Sequence, residues 1–135
     1  MDWVETLRNS GHATINAPAT SPAEKTVMVL GVARTGTTML ARIMSELGVY
    51  MGEVYASNYE DPELAEALEN GKGARKIARR RDAEHAVWGF KRPELFDVIP
   101  RAERLFRNPH AVVIFRDPLA TARREEISMV QPLLP

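Results

Sequence analysis

An apolar run, Val27-Met28-Val29-Leu30, breaks at Gly31 into a short polar loop, and the loop runs directly into an amphipathic segment ending near Leu47. The run has the length and composition of a buried strand. In the segment after it, Met39, Leu40, Ile43, Met44 and Leu47 fall on one helical stripe, with Arg42, Ser45 and Glu46 opposite. The pattern predicts a strand, a tight turn and a helix whose apolar stripe faces a core.

The turn between them holds Arg34-Thr35-Gly36-Thr37-Thr38. Main-chain N–H groups at a helix start have no intrahelical partner, and the helix dipole adds partial positive charge there. Gly36 lets the main chain approach a ligand, and three hydroxyls and a guanidinium surround the same point. Such a loop suits a phosphate-like anion.

Gly31 to Thr38 reads G-x-x-x-x-G-T-T, one residue from the nucleotide-binding pattern G-x-x-x-x-G-K-S/T. The missing residue is the lysine, replaced by Thr37, and the cation sits earlier, as Arg34. That loss argues against ATPase or kinase chemistry. A basic residue, a hydroxyl residue and then Gly-Thr-Thr, placed between strand and helix, resembles the 5′-phosphosulfate loop of the sulfotransferases that use 3′-phosphoadenylyl sulfate (PAPS). The resemblance implies an α/β fold: three αβα layers, a central parallel sheet and a P-loop-like strand–loop–helix. It implies PAPS as co-substrate, bound by Arg34, Thr35, Gly36, Thr37 and Thr38, with no metal.

The rest of the chain alternates in kind. Trp3, Val4 and Leu7 mark a short N-terminal helix, and Asn16 to Ala23 reads as linker, so residues 1–25 precede a domain over 26–135. Gly48 stops the first helix of that domain. Val49 to Tyr59 reads as loop. Asp61-Pro62-Glu63 is a helix start, with Asp as N-cap and Pro at the first helical position, and Asn70-Gly71 ends that helix. Ala74 to Glu84 is helical and carries Arg75, Lys76, Arg79, Arg80 and Arg81. These cations either bind an anionic acceptor or steer the nucleotide, or form a solvated face partly paired with the acidic helix before it. Ala86 to Phe90 is a second strand, Pro93 to about Arg107 a helix bent or restarted near Pro100, and Ala111 to Phe115 a third buried strand. Asp117 then caps a last helix from Pro118. Strands alternating with helices give a parallel sheet whose ligands bind beyond the strands' carboxyl ends. Arg34, Lys91 and Arg116 each follow a strand and are expected at that edge.

Val113 to Arg124, VIFRDPLATARR, resembles the 3′-phosphate motif of the same sulfotransferases. The resemblance gives Arg116 the 3′-phosphate. Where the family carries a serine as second ligand this chain has Arg124, with Thr121 and Ser128 as stand-ins. WGFKRP, from Trp88 to Pro93, resembles the family's strand that brings a basic residue to the transferred group, which makes Lys91 the candidate. Lys91 would face the sulfuryl oxygens, and Arg34 would hold the 5′-phosphate as charge grows there. Family members take a histidine or glutamate as base; here Pro93 occupies the histidine position, leaving Glu60 and Glu53 as alternatives.

The resemblance covers Val27 to about Glu126, the N-terminal half of such an enzyme, so the domain is expected to be incomplete or completed by self-association as a homodimer. The reaction implied is transfer of a sulfuryl group from PAPS to a hydroxyl or amine on a small-molecule, lipid or carbohydrate acceptor. The alternatives are a non-catalytic PAPS-binding remnant and a P-loop nucleotide kinase or NTPase. With 18 basic and 18 acidic residues in 135, no net field draws the chain to nucleic acid. Without cysteine it has no thiolate metal site, and its three histidines lack ligand spacing. No stretch has the length of a membrane span, and a cytoplasmic protein is expected.

Overall fold

The computed structural model describes residues 3–53 and 58–130. The elements in order are α1 (Trp3–Ser10), β1 (Lys25–Gly31), α2 (Thr37–Glu46), α3 (Pro62–Glu69), α4 (Ala74–Glu84), β2 (Val87–Lys91), a 3₁₀ segment (Phe96–Arg101), α5 (Ala102–Leu105), β3 (Pro109–Ile114) and α6 (Pro118–Val130). The three strands form one parallel sheet in the order β2-β1-β3, an α/β arrangement.

β1 is central because its side chains are apolar on both faces, and Thr26 to Gly31 are all buried. Successive residues of a strand point to opposite faces. Met28 and Leu30 therefore join Leu64, Leu68, Trp88, Phe90, Val98 and Phe106 in a core beneath α3, α4 and α5. Val29 enters a second core with Ala41 and Met51, packed by Leu40 and Met44 of α2. Helices cover both faces of the sheet at β1.

Local chemistry sets the element ends. Asp61 caps α3, its Oδ1 accepting from the Leu64 N–H at 3.4 Å, and Pro62 opens the helix. Gly48 adopts φ 89° just beyond α2, as a left-handed stop. Asp117 Oδ1 accepts from Ala120 N at 2.8 Å at the start of α6.

Four expectations need correction. The stripe of α2 is only partly inward: Leu40 and Met44 pack on the core, but Met39, Ile43 and Leu47 are exposed, because the sheet beneath is too narrow to cover them. The third strand is not buried. It lies at the sheet edge, and Val113 (47% exposed) and Phe115 (64%) face outward. Of the bend and the restart expected near Pro100 the structure has the restart, but the stretch begins only at Phe96 and is not α-helical before Ala102. Pro100 has no N–H to give, and the chain takes a 3₁₀ segment before one α turn. Arg81 is not on a solvated face; it is 1% exposed and meets Asp61, also 1% exposed, at 2.5 Å.

Candidate functional site

The loop from Gly31 to Gly36 is held by its own groups. Thr35 donates its hydroxyl to the Val32 carbonyl at 2.6 Å, and its N–H reaches the same oxygen at 3.3 Å. Arg34 adopts φ 67° and Gly36 φ 112°, so two left-handed residues turn the chain into α2. A Cβ at Gly31 would lie 2.6 Å from the Ile114 carbonyl oxygen, so the loop and β3 can approach this closely only over a glycine. Gly36 is the N-cap of α2 and no side chain caps the helix, which leaves its first N–H groups to a ligand or water.

Lys91 brings β2 to this loop. It is the last residue of β2, paired in register with Val29, and is 3% exposed. Its ammonium donates to Thr38 Oγ1 at 3.2 Å, the Asn58 carbonyl at 2.9 Å and Glu60 Oε1 at 3.2 Å. Arg92 completes the cluster, donating to Glu60 Oε2 at 2.7 Å and pairing with Glu69 of α3. Glu94 ties the next turn to the loop: its N–H donates to the Gly31 carbonyl at 2.8 Å, and its Oε1 accepts from Ala33 N at 3.4 Å. A buried cation and a carboxylate thus meet a hydroxyl at the start of α2.

The predicted residues divide accordingly. Thr38, Lys91 and Glu60 are brought together. Thr35 turns its hydroxyl into its own loop, and Thr37 is buried with its methyl toward Gly31. Arg34 is exposed on the loop, and Arg116 and Arg124 are exposed on and after the β3–α6 connection. Arg124 lines a cleft of about 330 Å³ with Asp117, Leu119, Ala120 and Arg123. Thr121 donates its hydroxyl to the Asp117 carbonyl at 3.0 Å, and the Ser128 side chain lies outside the described residues. Sequence reasoning missed Arg92, Asn58, Glu69 and Glu94. Arg92 and Glu94 had a signal in following Lys91; Asn58 accepts from Lys91 with its carbonyl and from the Glu60 N–H with its Oδ1 at 3.1 Å, and nothing local in the sequence marks either contact.

No family model, curated protein or solved structure matches the chain. The site is therefore judged by its own chemistry. Among the described residues no cluster of His, Cys, Asp and Glu could hold a metal ion, and no helix is long and apolar enough to cross a membrane.

Glu53 has different partners from Glu60. Its Oε1 accepts from the Tyr50 hydroxyl at 2.9 Å, and the Tyr50 ring stacks on His85 at 4.0 Å. Burial, with the bond to Glu53, raises the Tyr50 phenol from its ordinary 10.0 to about 12. Because the folded value is the higher, the folded state retains the proton more strongly. That stabilisation is whole below pH 10.0 and is lost as pH rises through about 12. Urea unfolding from pH 9 to 12 is expected to show an alkaline loss of stability that Tyr50→Phe reduces, with equal slopes in the two proteins contradicting it.

Proposed function

We propose that the chain binds the phosphosulfate end of PAPS at the Gly31–Thr38 loop and takes part in sulfuryl transfer to a hydroxyl or amine. The observation that carries this reading is the buried Lys91 ammonium hydrogen-bonded to Thr38 at the uncapped start of α2. A cation removed from solvent beside an anion-binding helix start is suited to a group whose negative charge is shared over several oxygens. The sequence resemblance supplies the sulfuryl group as that charge.

In this reading the N–H groups from Gly36 to Thr38, with Arg34, bind the 5′-phosphate, and Arg116 and Arg124 take the 3′-phosphate. Lys91 exchanges its bond to Glu60 for one to a sulfuryl oxygen. Glu60, still held by Arg92, then accepts the acceptor's proton while the acceptor oxygen or nitrogen bonds to sulfur. The sulfur–oxygen bond to the nucleotide breaks, and 3′-phosphoadenosine 5′-phosphate (PAP) leaves with the electron pair. Catalysis is by positioning and charge neutralisation. Glu60 is preferred to Glu53 as base because Glu60 shares the Lys91 cluster and Glu53 is bonded to Tyr50. The structure lends no support to an NTPase reading, since the position where a P-loop carries lysine holds the buried Thr37.

A second reading keeps the binding and drops the transfer. Exposure of Phe115 and Arg116 favours it, since the 3′-phosphate side is open to water. Formation of PAP from PAPS separates the two. For the site itself, Arg34→Ala and Thr38→Ala should abolish PAP binding, and Arg116→Ala should erase the preference for PAP over ADP. Unchanged PAP affinity in all three would refute the assignment.

A further inference from the structure

β2 and β3 are the outer strands of the sheet, and their free sides are finished differently. The main chain at Tyr50 lies along the outer side of β2, where Tyr50 bridges Trp88 and its carbonyl accepts from the Gly89 N–H at 2.8 Å. Among the described residues nothing pairs with the outer side of β3. Open edges are commonly guarded by charged side chains or bulges. From Pro109 to Phe115 this one has no Lys, Arg, Asp or Glu.

An apolar stripe flanks the edge on each face of the sheet. Ala111, Val113 and Phe115 are exposed at alternate positions, with Ala111 and Val113 in register with Met28 and Leu30 of the larger core. On the opposite face α2 packs over β1 and β2 and leaves Met39, Ile43 and Leu47 exposed at i, i+4 and i+8. That stripe looks toward β3: a Cβ at Gly36 would lie 3.3 Å from the Ile114 side chain and 3.8 Å from that of Met39.

We infer that a second copy of the chain covers this edge, β3 pairing antiparallel with its partner's β3 about a two-fold axis at Val113. The strand is self-complementary in that register. Val113 meets its own copy, Phe115 meets the small Ala111, and Val112 meets Ile114, all apolar cross-strand pairs. Centring on Val112 instead would set Phe115 against Pro109. The axis runs perpendicular to the sheet, so both α2 helices fall on one face. The two β1 strands then stand three strand spacings apart, about 14 Å. A helix with its side chains is about 10–12 Å wide, so the two α2 stripes approach each other over the paired strands. An extended segment of another protein would occupy the edge and leave α2 uncovered. Because Tyr50 holds the outer side of β2, the pairing closes at two copies instead of running on as a fibre.

The association needs no nucleotide, so it stands or falls apart from the PAPS reading. Sedimentation equilibrium of the chain alone should give twice the 15.1 kDa monomer mass. The chain has no cysteine, so single introduced thiols report the register. Val113→Cys should cross-link the two copies on oxidation. Ala111→Cys and Val112→Cys should not, because each lies beyond the roughly 7 Å limit from its own copy. Val113→Lys sets two ammonium groups face to face at the axis, and Ile43→Lys puts charge between the helices. Each should weaken the dimer at least about tenfold, while Val113→Ile leaves it intact. Circular dichroism confirms that each variant is folded. A monomer at the highest soluble concentration, an open series of larger species, preferred cross-linking through Ala111→Cys or Val112→Cys, or a dimer indifferent to either lysine would overturn the inference.

Discussion

Replacing Arg81 with methionine should cost about 3–5 kcal/mol of stability, the scale for breaking a buried ion pair by removing one partner. That is a large part of the roughly 5–15 kcal/mol that a domain commonly has. Arg81 and Asp61 are each 1% exposed and approach to 2.5 Å. The guanidinium also lies 5.7 Å from the Tyr50 ring and 5.3 Å from the Trp88 ring, and Glu63 reaches it at 3.3 Å. Methionine replaces much of the side-chain volume but leaves the Asp61 carboxylate buried beside no cation. Asp61 is also the cap of α3, so its relaxation loosens the helix that positions Glu69. Pairing Arg81→Met with Asp61→Asn should recover part of the loss, since Asn caps helices well and carries no charge. The exposed Arg101–Asp97 pair is the control, and Asp97→Ala should cost no more than about 1 kcal/mol. Urea unfolding of the parent chain and these three variants measures the differences, and a loss under about 1 kcal/mol for Arg81→Met would show that this pair is not a keystone.

The second large effect concerns chemistry. Lys91→Ala should slow PAP formation from PAPS by about 10²–10³-fold, as removal of one preorganised donor does in other sites. Phenol, sugar and amine acceptors would be supplied together. Affinity for PAP should fall less than about tenfold, because PAP lacks the sulfuryl group assigned to Lys91. Lys91→Arg should not rescue the rate, since a planar guanidinium cannot reproduce three bonds that diverge from one nitrogen to Thr38, Asn58 and Glu60. An unchanged rate, or a PAP affinity that falls as far as the rate, would remove Lys91 from the transfer step.

These two residues also show what could be read from the chain. The strand–loop–helix at Lys25–Glu46 was legible because its apolar run, its glycines and its helical period are local signals. The Asp61-Pro62 start and the ends of α4 were legible for the same reason. Arg81 was not, because it sits in a row of cations and only tertiary packing selects one of them for burial. Lys91 was expected just beyond a strand; it is the strand's last residue, and its side chain turns inward to three acceptors.

Periodicity likewise gave α2 an apolar stripe without saying how much of it is covered. Coverage of a strand's faces is a non-local property, so β3 read as buried although its side chains are only partly covered, while β2, at the other edge, is buried. Within the site, Thr38, Lys91 and Glu60 were named from sequence. Arg92, which holds the second oxygen of Glu60, was read only as part of the WGFKRP stretch and given no role.

The most direct test of the central claim is calorimetric titration of the purified chain with PAP, with ADP and Mg-ATP as controls. The account predicts PAP binding with a clear preference over ADP, set by the additional 3′-phosphate, and no preference for Mg-ATP. Equal affinity for PAP and ADP, tighter binding of Mg-ATP, or no binding by a folded chain would contradict it.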